Sequence, residues 1–128
     1  ILLRKRKRLV ALAKFLSEEG EPRDRSTKWT EIKEKINSQN PSDWQTAVIE
    51  ADSILDDIFE KMGFKGEGLG EKLKSVDPGD FDNLQNIWDA HKTRNRIAHP
   101  SADFKLTQEE AKSAVDNYEK GLKELRYL

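Results

Sequence analysis

The chain has 128 residues, of which 35% are hydrophobic and 37% charged, and its formal net charge is −1. This length is enough for one compact domain and too short for two of ordinary size. The absence of cysteine excludes disulfides, thiolate nucleophiles and zinc held by cysteine. The charge is unevenly spread: residues 1–25 carry eight Lys or Arg and four Asp or Glu, a net of +4, which leaves −5 for residues 26–128. The folded part is therefore expected to be acidic, and a contact with nucleic acid must use a local basic patch.

Residues 1–25 are predicted to be a basic segment followed by a linker. Three apolar residues precede five consecutive cations, which are Arg4, Lys5, Arg6, Lys7 and Arg8. Three interpretations of this stretch stay open: the cytoplasmic edge of a transmembrane helix in contact with anionic lipid, a solvated basic tail, and an arm that binds nucleic acid. A complete span needs roughly 20 apolar residues, and none is present. The first interpretation places the domain in the cytoplasm at the inner face of a membrane.

Residues 26–128 are predicted to form one domain, and their apolar residues recur at helical spacing. Ser26, Ser42 and Asp80 are expected to cap three helices, the last of them running from about Phe81 to about Ala98. Gly63 is expected to end the second helix, and Pro100 the third. A capping box, Thr107 to Glu110, predicts the start of the last helix. The glycine-rich residues 65–70 are interpreted as a flexible connection, since a phosphate loop needs a preceding strand. We expect an all-α, four- to five-helix, up-and-down bundle.

The third predicted helix carries polar residues where apolar ones are expected. Its predicted core-facing stripe, read at steps of three and four residues, is Phe81, Leu84, Trp88, His91, Asn95 and Ala98. A polar group buried without a partner costs about 1–3 kcal/mol. His91 and Asn95 should therefore be satisfied either by other core atoms or by a ligand.

Arg94 and His99 have the chemistry needed to cleave a phosphodiester. An arginine fork binds phosphate through two parallel hydrogen bonds, and histidine exchanges a proton near neutral pH. Cleavage of RNA by its own 2′-hydroxyl needs a cation at the phosphate and a group that exchanges protons, and it needs no metal. Asn95 could orient the imidazole or bind a phosphate oxygen. The structural alternative is that Arg94 and Arg96 pair with surface carboxylates while both histidines sit satisfied in the core. His91 and His99 are eight residues apart, roughly 12 Å along a helix, which is too far to chelate one ion.

A resemblance to a known family follows from the stretch Arg94-Asn95-Arg96-Ile97-Ala98-His99. This stretch resembles the Arg-x4–6-His signature of HEPN domains, the higher eukaryote and prokaryote nucleotide-binding family, in which a polar residue, often Asn, follows the Arg. In that family the motif ends a long helix of an all-α bundle, and one more helix follows. The resemblance covers about residues 26–126 and is closest to membrane-tethered bacterial members.

The resemblance implies a metal-independent endoribonuclease that needs no cofactor and acts as a symmetric homodimer. Arg94 would hold the scissile phosphate, His99 would transfer protons, and Asn95 would support both. Asp89 matches an acidic position of some catalytic members, although those have Lys where this chain has Thr93. Contacts to RNA are further expected from Arg96, Lys92 and His91. The family also contains non-catalytic dimerisation or interaction modules, and such a module on the cytoplasmic side of a membrane anchor is the alternative.

Overall fold

A computed structural model describes residues 22–128, so the predictions made for Arg4 to Arg8 lie outside the described residues. Five α-helices follow one another: α1 (Pro22–Ile36), α2 (Pro41–Lys61), α3 (Gly68–Leu73), α4 (Leu84–Ala98) and α5 (Gln108–Glu124). A short 3-10 turn, Pro78–Asp80, lies between α3 and α4. Residues 22–128 contain no strand, and the prediction of an all-α bundle is confirmed. None of the five helices has the length and apolar content needed to cross a membrane.

Three predicted helix starts are wrong. α1 begins at Pro22 rather than after Ser26, because proline needs no amide partner in the first turn. α2 is capped by Asn40, whose side-chain oxygen accepts from the Ser42 amide at 3.1 Å. Asp80 ends the 3-10 turn and does not cap α4.

The amides that precede α4 are satisfied from a distant part of the chain. The Glu124 carboxylate, at the end of α5, accepts from the amide of Asp82 at 2.8 Å and from that of Asn83 at 2.9 Å. A carboxylate near a helix N-terminus also interacts favourably with the helix dipole. The start of α4 is thereby tied to the end of α5.

Other predicted boundaries are confirmed. Gly63 follows α2 with a φ of +95°, the left-handed region in which glycine carries no steric penalty. Thr107 and Glu110 form the capping box of α5, with hydrogen bonds in both directions. α4 ends at Ala98, and His99 is its C-cap.

The core is built around α2, which packs against the other four helices. The largest side chains in it that are almost completely buried come from every helix and from the segment before α4: Ile32, Leu55, Phe59, Leu69, Leu73, Phe81, Ile87, Tyr118, Leu122 and Leu125. The buried face of α4 consists of Leu84, Ile87, Ala90 and His91.

The prediction that the buried stripe of α4 continues through Asn95 and Ala98 is wrong, because both residues are exposed. α4 begins at Leu84, after Phe81, and its buried face runs through Ile87 to His91. The next residue at this spacing is Arg94, which is partly exposed. The arginine of the motif, and not the asparagine, therefore continues the core-facing side of the helix.

Close packing of α4 on α5 depends on Gly121. A Cβ atom at this position would lie 2.5 Å from Ile87 Cδ1 and 3.0 Å from its Cγ1. Overpacking of this kind destabilises a fold by about 1–3 kcal/mol. The higher helix propensity of alanine offsets about 1 kcal/mol of this loss. We expect Gly121→Ala to lower the free energy of unfolding by up to about 2 kcal/mol in urea titrations.

A double-mutant cycle isolates this contact. Ile87→Val removes the Cδ1 atom and by itself costs about 0.5–1.5 kcal/mol. In the Ile87→Val background, Gly121→Ala should cost less than in the parent, because the contact at 2.5 Å is gone while that with Cγ1 at 3.0 Å remains. An unchanged cost in that background would contradict the packing argument.

Candidate functional site

The polar centre of the bundle is the buried carboxylate of Asp52, in the middle of α2. The residue is 5% exposed. Its Oδ2 atom accepts from the Tyr118 hydroxyl of α5 at 2.6 Å and from His91 Nδ1 of α4 at 2.7 Å. A buried carboxylate is tolerated only when it is paired and hydrogen-bonded. These two contacts therefore join three helices at one polar point.

The protonation of the two donors follows from their surroundings. Burial, followed by the negative charge of Asp52, raises the pKa of Tyr118 well above its ordinary value, so the hydroxyl stays protonated and donates. An ionised carboxylate can only accept, so His91 carries a proton on Nδ1. In the neutral ring the other nitrogen, Nε2, is then a hydrogen-bond acceptor.

Arg94 extends this polar cluster to the surface. Its Nε atom lies 4.0 Å from Asp52 Oδ1, and its side chain is 37% exposed, against 7% for Asp52. An Nη atom of Arg94 also donates to the side-chain oxygen of Asn95 at 3.2 Å. The guanidinium is thus attracted by the buried Asp52 carboxylate on one side, while another part of it faces solvent.

A cleft of about 350 Å³ opens beside this cluster, between α2, α3 and α4. Its charged wall consists of Asp52, Asp56, Glu67, Glu71, Lys74 and Arg94. Ser53, Trp88, His91 and Asn95 also line it. The buried Lys72 ammonium holds α3 in place by donating to Asp56 at 2.5 Å, and this hydrogen bond raises the pKa of Lys72.

Gly70, on α3, lies directly over the imidazole of His91. A Cβ atom at this position would stand 2.7 Å from His91 Nε2. Any other residue at position 70 would cover that nitrogen or push the ring away from Asp52. Glycine therefore leaves Nε2 uncovered on the wall of the cleft.

The predicted site residues divide into two groups. His91, Arg94 and Asn95 line the cleft. His99 does not: it is exposed at the end of α4, where its amide donates to the Asn95 carbonyl at 2.9 Å. The prediction that polar residues on the stripe find partners holds for His91, which is bound to Asp52.

The remaining predicted residues lie on the outer face of α4. The Arg96 guanidinium donates to Glu110 at 2.5 Å and stacks over Phe104, and this hydrogen bond lowers the pKa of Glu110. Asp89 is exposed and accepts from Gln85 at 2.9 Å. Lys92 is exposed. Residues 22–128 contain no group of three potential metal ligands.

Asp52 and Tyr118 were not among the residues predicted for the site. A signal for Asp52 was available, because it stands beside Ala51 on the stripe that runs from Val48 to Leu55, as His91 stands on the stripe of α4. A polar residue on a core-facing stripe implies a polar partner, and two such residues on neighbouring helices suggest each other. Tyr118 gave no comparable signal, because tyrosine is common in cores.

Removal of the central carboxylate should destabilise the fold. Asp52→Ala leaves the Tyr118 hydroxyl and the His91 N–H buried without an acceptor, and we expect the free energy of unfolding to fall by about 3–5 kcal/mol. Asp52→Asn retains an oxygen acceptor and should lose less than half as much. Urea titrations of both variants measure the difference. A loss under about 1 kcal/mol for the alanine variant would contradict the central role of this carboxylate.

The cleft and its rim combine an oriented arginine, an uncovered imidazole nitrogen and a half-buried tryptophan. Side chains of these three kinds commonly line ligand-binding sites, although they also occur in structural roles. Their own chemistry carries the functional argument, because no protein-family model, no curated protein and no solved structure matches this chain.

Proposed function

We propose that the chain is a HEPN-like, metal-independent endoribonuclease that acts as a homodimer through Arg94 and His99. One observation carries this proposal: Arg94 is held by a buried carboxylate and by Asn95 while part of its guanidinium stays exposed. An arginine that is oriented before the substrate arrives loses less conformational freedom when it binds phosphate. The fork can then receive two phosphate oxygens side by side.

The comparison of the two motif arginines supports this assignment. Arg96 is engaged by Glu110 on one side and by the ring of Phe104 on the other. Arg94 makes one hydrogen bond within residues 22–128, to Asn95, and keeps further N–H groups for a ligand. Arg96 is thus used to attach the end of α4 to the start of α5, which leaves Arg94 as the phosphate-binding group.

His99 is suited to proton transfer by its position. It is exposed at the C-terminal end of α4, so its imidazole is accessible to a substrate. As a base it would take the proton of the RNA 2′-hydroxyl, whose oxygen then attacks phosphorus as the 5′-oxygen leaves. Arg94 would stabilise the negative charge that develops on the phosphate oxygens in this step.

A homodimer is part of the proposal because the resemblance to HEPN domains implies one, and the positions of the two groups are compatible with it. Arg94 lines the cleft and His99 does not. Two copies related by a two-fold axis could pair Arg94 of one protomer with His99 of its partner, and this would also double the local positive charge. Lys92 and Arg96 would add to the basic rim, and Asp89 would lie close to it on α4.

A non-catalytic dimerisation or interaction module is the second candidate function, and one observation favours it. Both motif arginines already face carboxylates of their own chain, Asp52 and Glu110. Such pairing lowers the attraction of this surface for a polyanion. In this alternative the module would stand on the cytoplasmic side of a membrane anchor, with Arg4 to Arg8 close to anionic lipid.

The nuclease proposal predicts cleavage of single-stranded RNA in excess EDTA. We expect His99→Ala to lower the rate by about 100- to 10,000-fold, and Arg94→Ala by about 100- to 1,000-fold. Arg94→Lys should recover little activity, because lysine lacks the planar fork. Lys61→Ala removes an equal charge at the far end of α2 and should leave the rate unchanged.

Stability measurements on the same variants separate a loss of chemistry from a loss of fold, and RNA binding by the parent separates the two candidate functions. His99 is exposed, so His99→Ala should keep the free energy of unfolding within about 1 kcal/mol of the parent. A folded, stable parent protein that dimerises but neither binds nor cuts RNA at low salt would favour the interaction module.

Mixing two inactive variants tests the shared centre. Arg94→Ala and His99→Ala chains, co-expressed in equal amounts, should form heterodimers in which one of the two centres has both groups intact. Because about half of the dimers are then mixed, activity should recover to about a quarter of the parent value. No recovery despite verified heterodimers would contradict a centre built from one Arg94 and one partner His99.

A further inference from the structure

The wall of the cleft contains a nitrogen without a protein partner. The His91 side chain is 8% exposed, its Nδ1 is used by Asp52, and its Nε2 has no hydrogen-bond partner among residues 22–128. The imidazole lines the cleft, and Gly70 supplies no side chain to cover Nε2. An acceptor that lacks a protein partner and faces a cavity is a feature of ligand sites, because a ligand can take the place of water in that hydrogen bond.

Trp88 supplies an aromatic wall next to this nitrogen. Its ring is 6.2 Å from that of His91, at an interplanar angle of 71°. The indoles of Trp29 and Trp44 donate to Glu119 at 2.7 Å and to the Ser38 carbonyl at 2.8 Å, and neither ring lines the cleft. Trp88 is half-buried and stands against the cavity. A flat ligand could stack on this ring and direct its polar edge toward His91.

The charges on the wall restrict the ligand further. Four carboxylates face two cations, so an anionic group would be repelled from the interior. In the neutral form of the ring, His91 Nε2 is an acceptor, and the side chains of Asp56, Glu67 and Glu71 are acceptors too, which favours a ligand that donates hydrogen bonds. A phosphate would instead lie beside the two cations, the partly exposed Arg94 and the exposed Lys74.

We propose that the cleft binds a single unpaired nucleobase, stacked on Trp88 and hydrogen-bonded by its amino group to His91 Nε2. The base is flat and uncharged, as this wall requires, and adenine and cytosine present an exocyclic amino group that uracil lacks. Stacking of single bases on aromatic side chains is a common mode of RNA recognition. The inference extends the proposed function, since the partly exposed Arg94 would hold the phosphate next to the bound base.

The test uses the indole N–H signals of the three tryptophans in nitrogen-15 NMR spectra of the full chain. Millimolar adenosine or cytidine should shift the Trp88 signal and leave those of Trp29 and Trp44 in place. Uridine should bind more weakly, and inorganic phosphate should not shift Trp88. A Trp88 signal that ignores all nucleosides, or that moves with phosphate alone, would overturn the proposal.

Two variants and a matched control localise the binding. Trp88→Leu removes the stacking surface and should weaken adenosine binding by about 5- to 150-fold, measured at the Gly70 amide signal. Gly70→Ala covers Nε2 without changing any charge and should weaken it as well. Trp44→Phe alters a half-buried aromatic residue outside the cleft and should leave adenosine affinity unchanged. Equal losses in all three variants would contradict a site at the cleft.

The base site and the nuclease can fail separately. Nucleoside binding at Trp88 without EDTA-resistant cleavage would support the base site and remove the nuclease. Cleavage with no response at Trp88, and with equal rates on oligoadenylate and oligouridylate, would retain the nuclease and overturn the base site. Tighter binding of an oligoadenylate than of adenosine would identify the base as part of an RNA chain, and equal affinity would identify it as a free nucleoside.

Discussion

The structure depends on the buried carboxylate of Asp52. A carboxylate taken out of water is destabilising by several kcal/mol unless its hydrogen bonds are replaced. Here α4 and α5 each supply one donor, from His91 and Tyr118, at 2.7 Å and 2.6 Å. The three helices can satisfy this group only in one relative register, because hydrogen bonds weaken steeply with distance and angle. The polar cluster therefore selects one arrangement among the many that apolar packing alone would tolerate.

The same carboxylate links the core to the surface chemistry. Its second oxygen lies 4.0 Å from the Arg94 Nε, so the charge that organises the interior also attracts the guanidinium at the rim. Its first oxygen fixes the proton of His91 on Nδ1, which leaves Nε2 as an acceptor on the wall of the cleft. One buried residue thus orients both the arginine proposed to bind phosphate and the histidine nitrogen proposed to contact the base. A change at Asp52 would alter fold, arginine position and cleft together.

Features encoded within a few residues were predictable from the sequence, and features that depend on distant contacts were not. The capping box at Thr107, the left-handed Gly63 and the stop before Pro100 follow from local chemistry and are confirmed. The start of α4 was misplaced because its amides are satisfied by Glu124, about forty residues away. The predicted buried face was displaced toward Asn95 because the stripe was read through Trp88, whereas the buried residue at that turn is Ile87. The partner of His91 was missed because Asp52 was counted among ordinary helix residues, although it stands on the core-facing side of α2.

The polar residues along α4 differ in burial and in the groups they contact. His91 serves the interior through Nδ1 and faces the cleft through Nε2. Arg94, three residues later, is still attracted by Asp52 but reaches solvent. His99 lies beyond the last helical turn and is exposed. A rise of 1.5 Å per residue places Arg94 and His99 roughly 7.5 Å apart along the helix axis. Only Arg94 lines the cleft, so the two side chains of one protomer have different surroundings. In the proposed dimer, Arg94 of one protomer and His99 of its partner would act on one phosphate, whereas the proposed base site uses the cleft of one protomer.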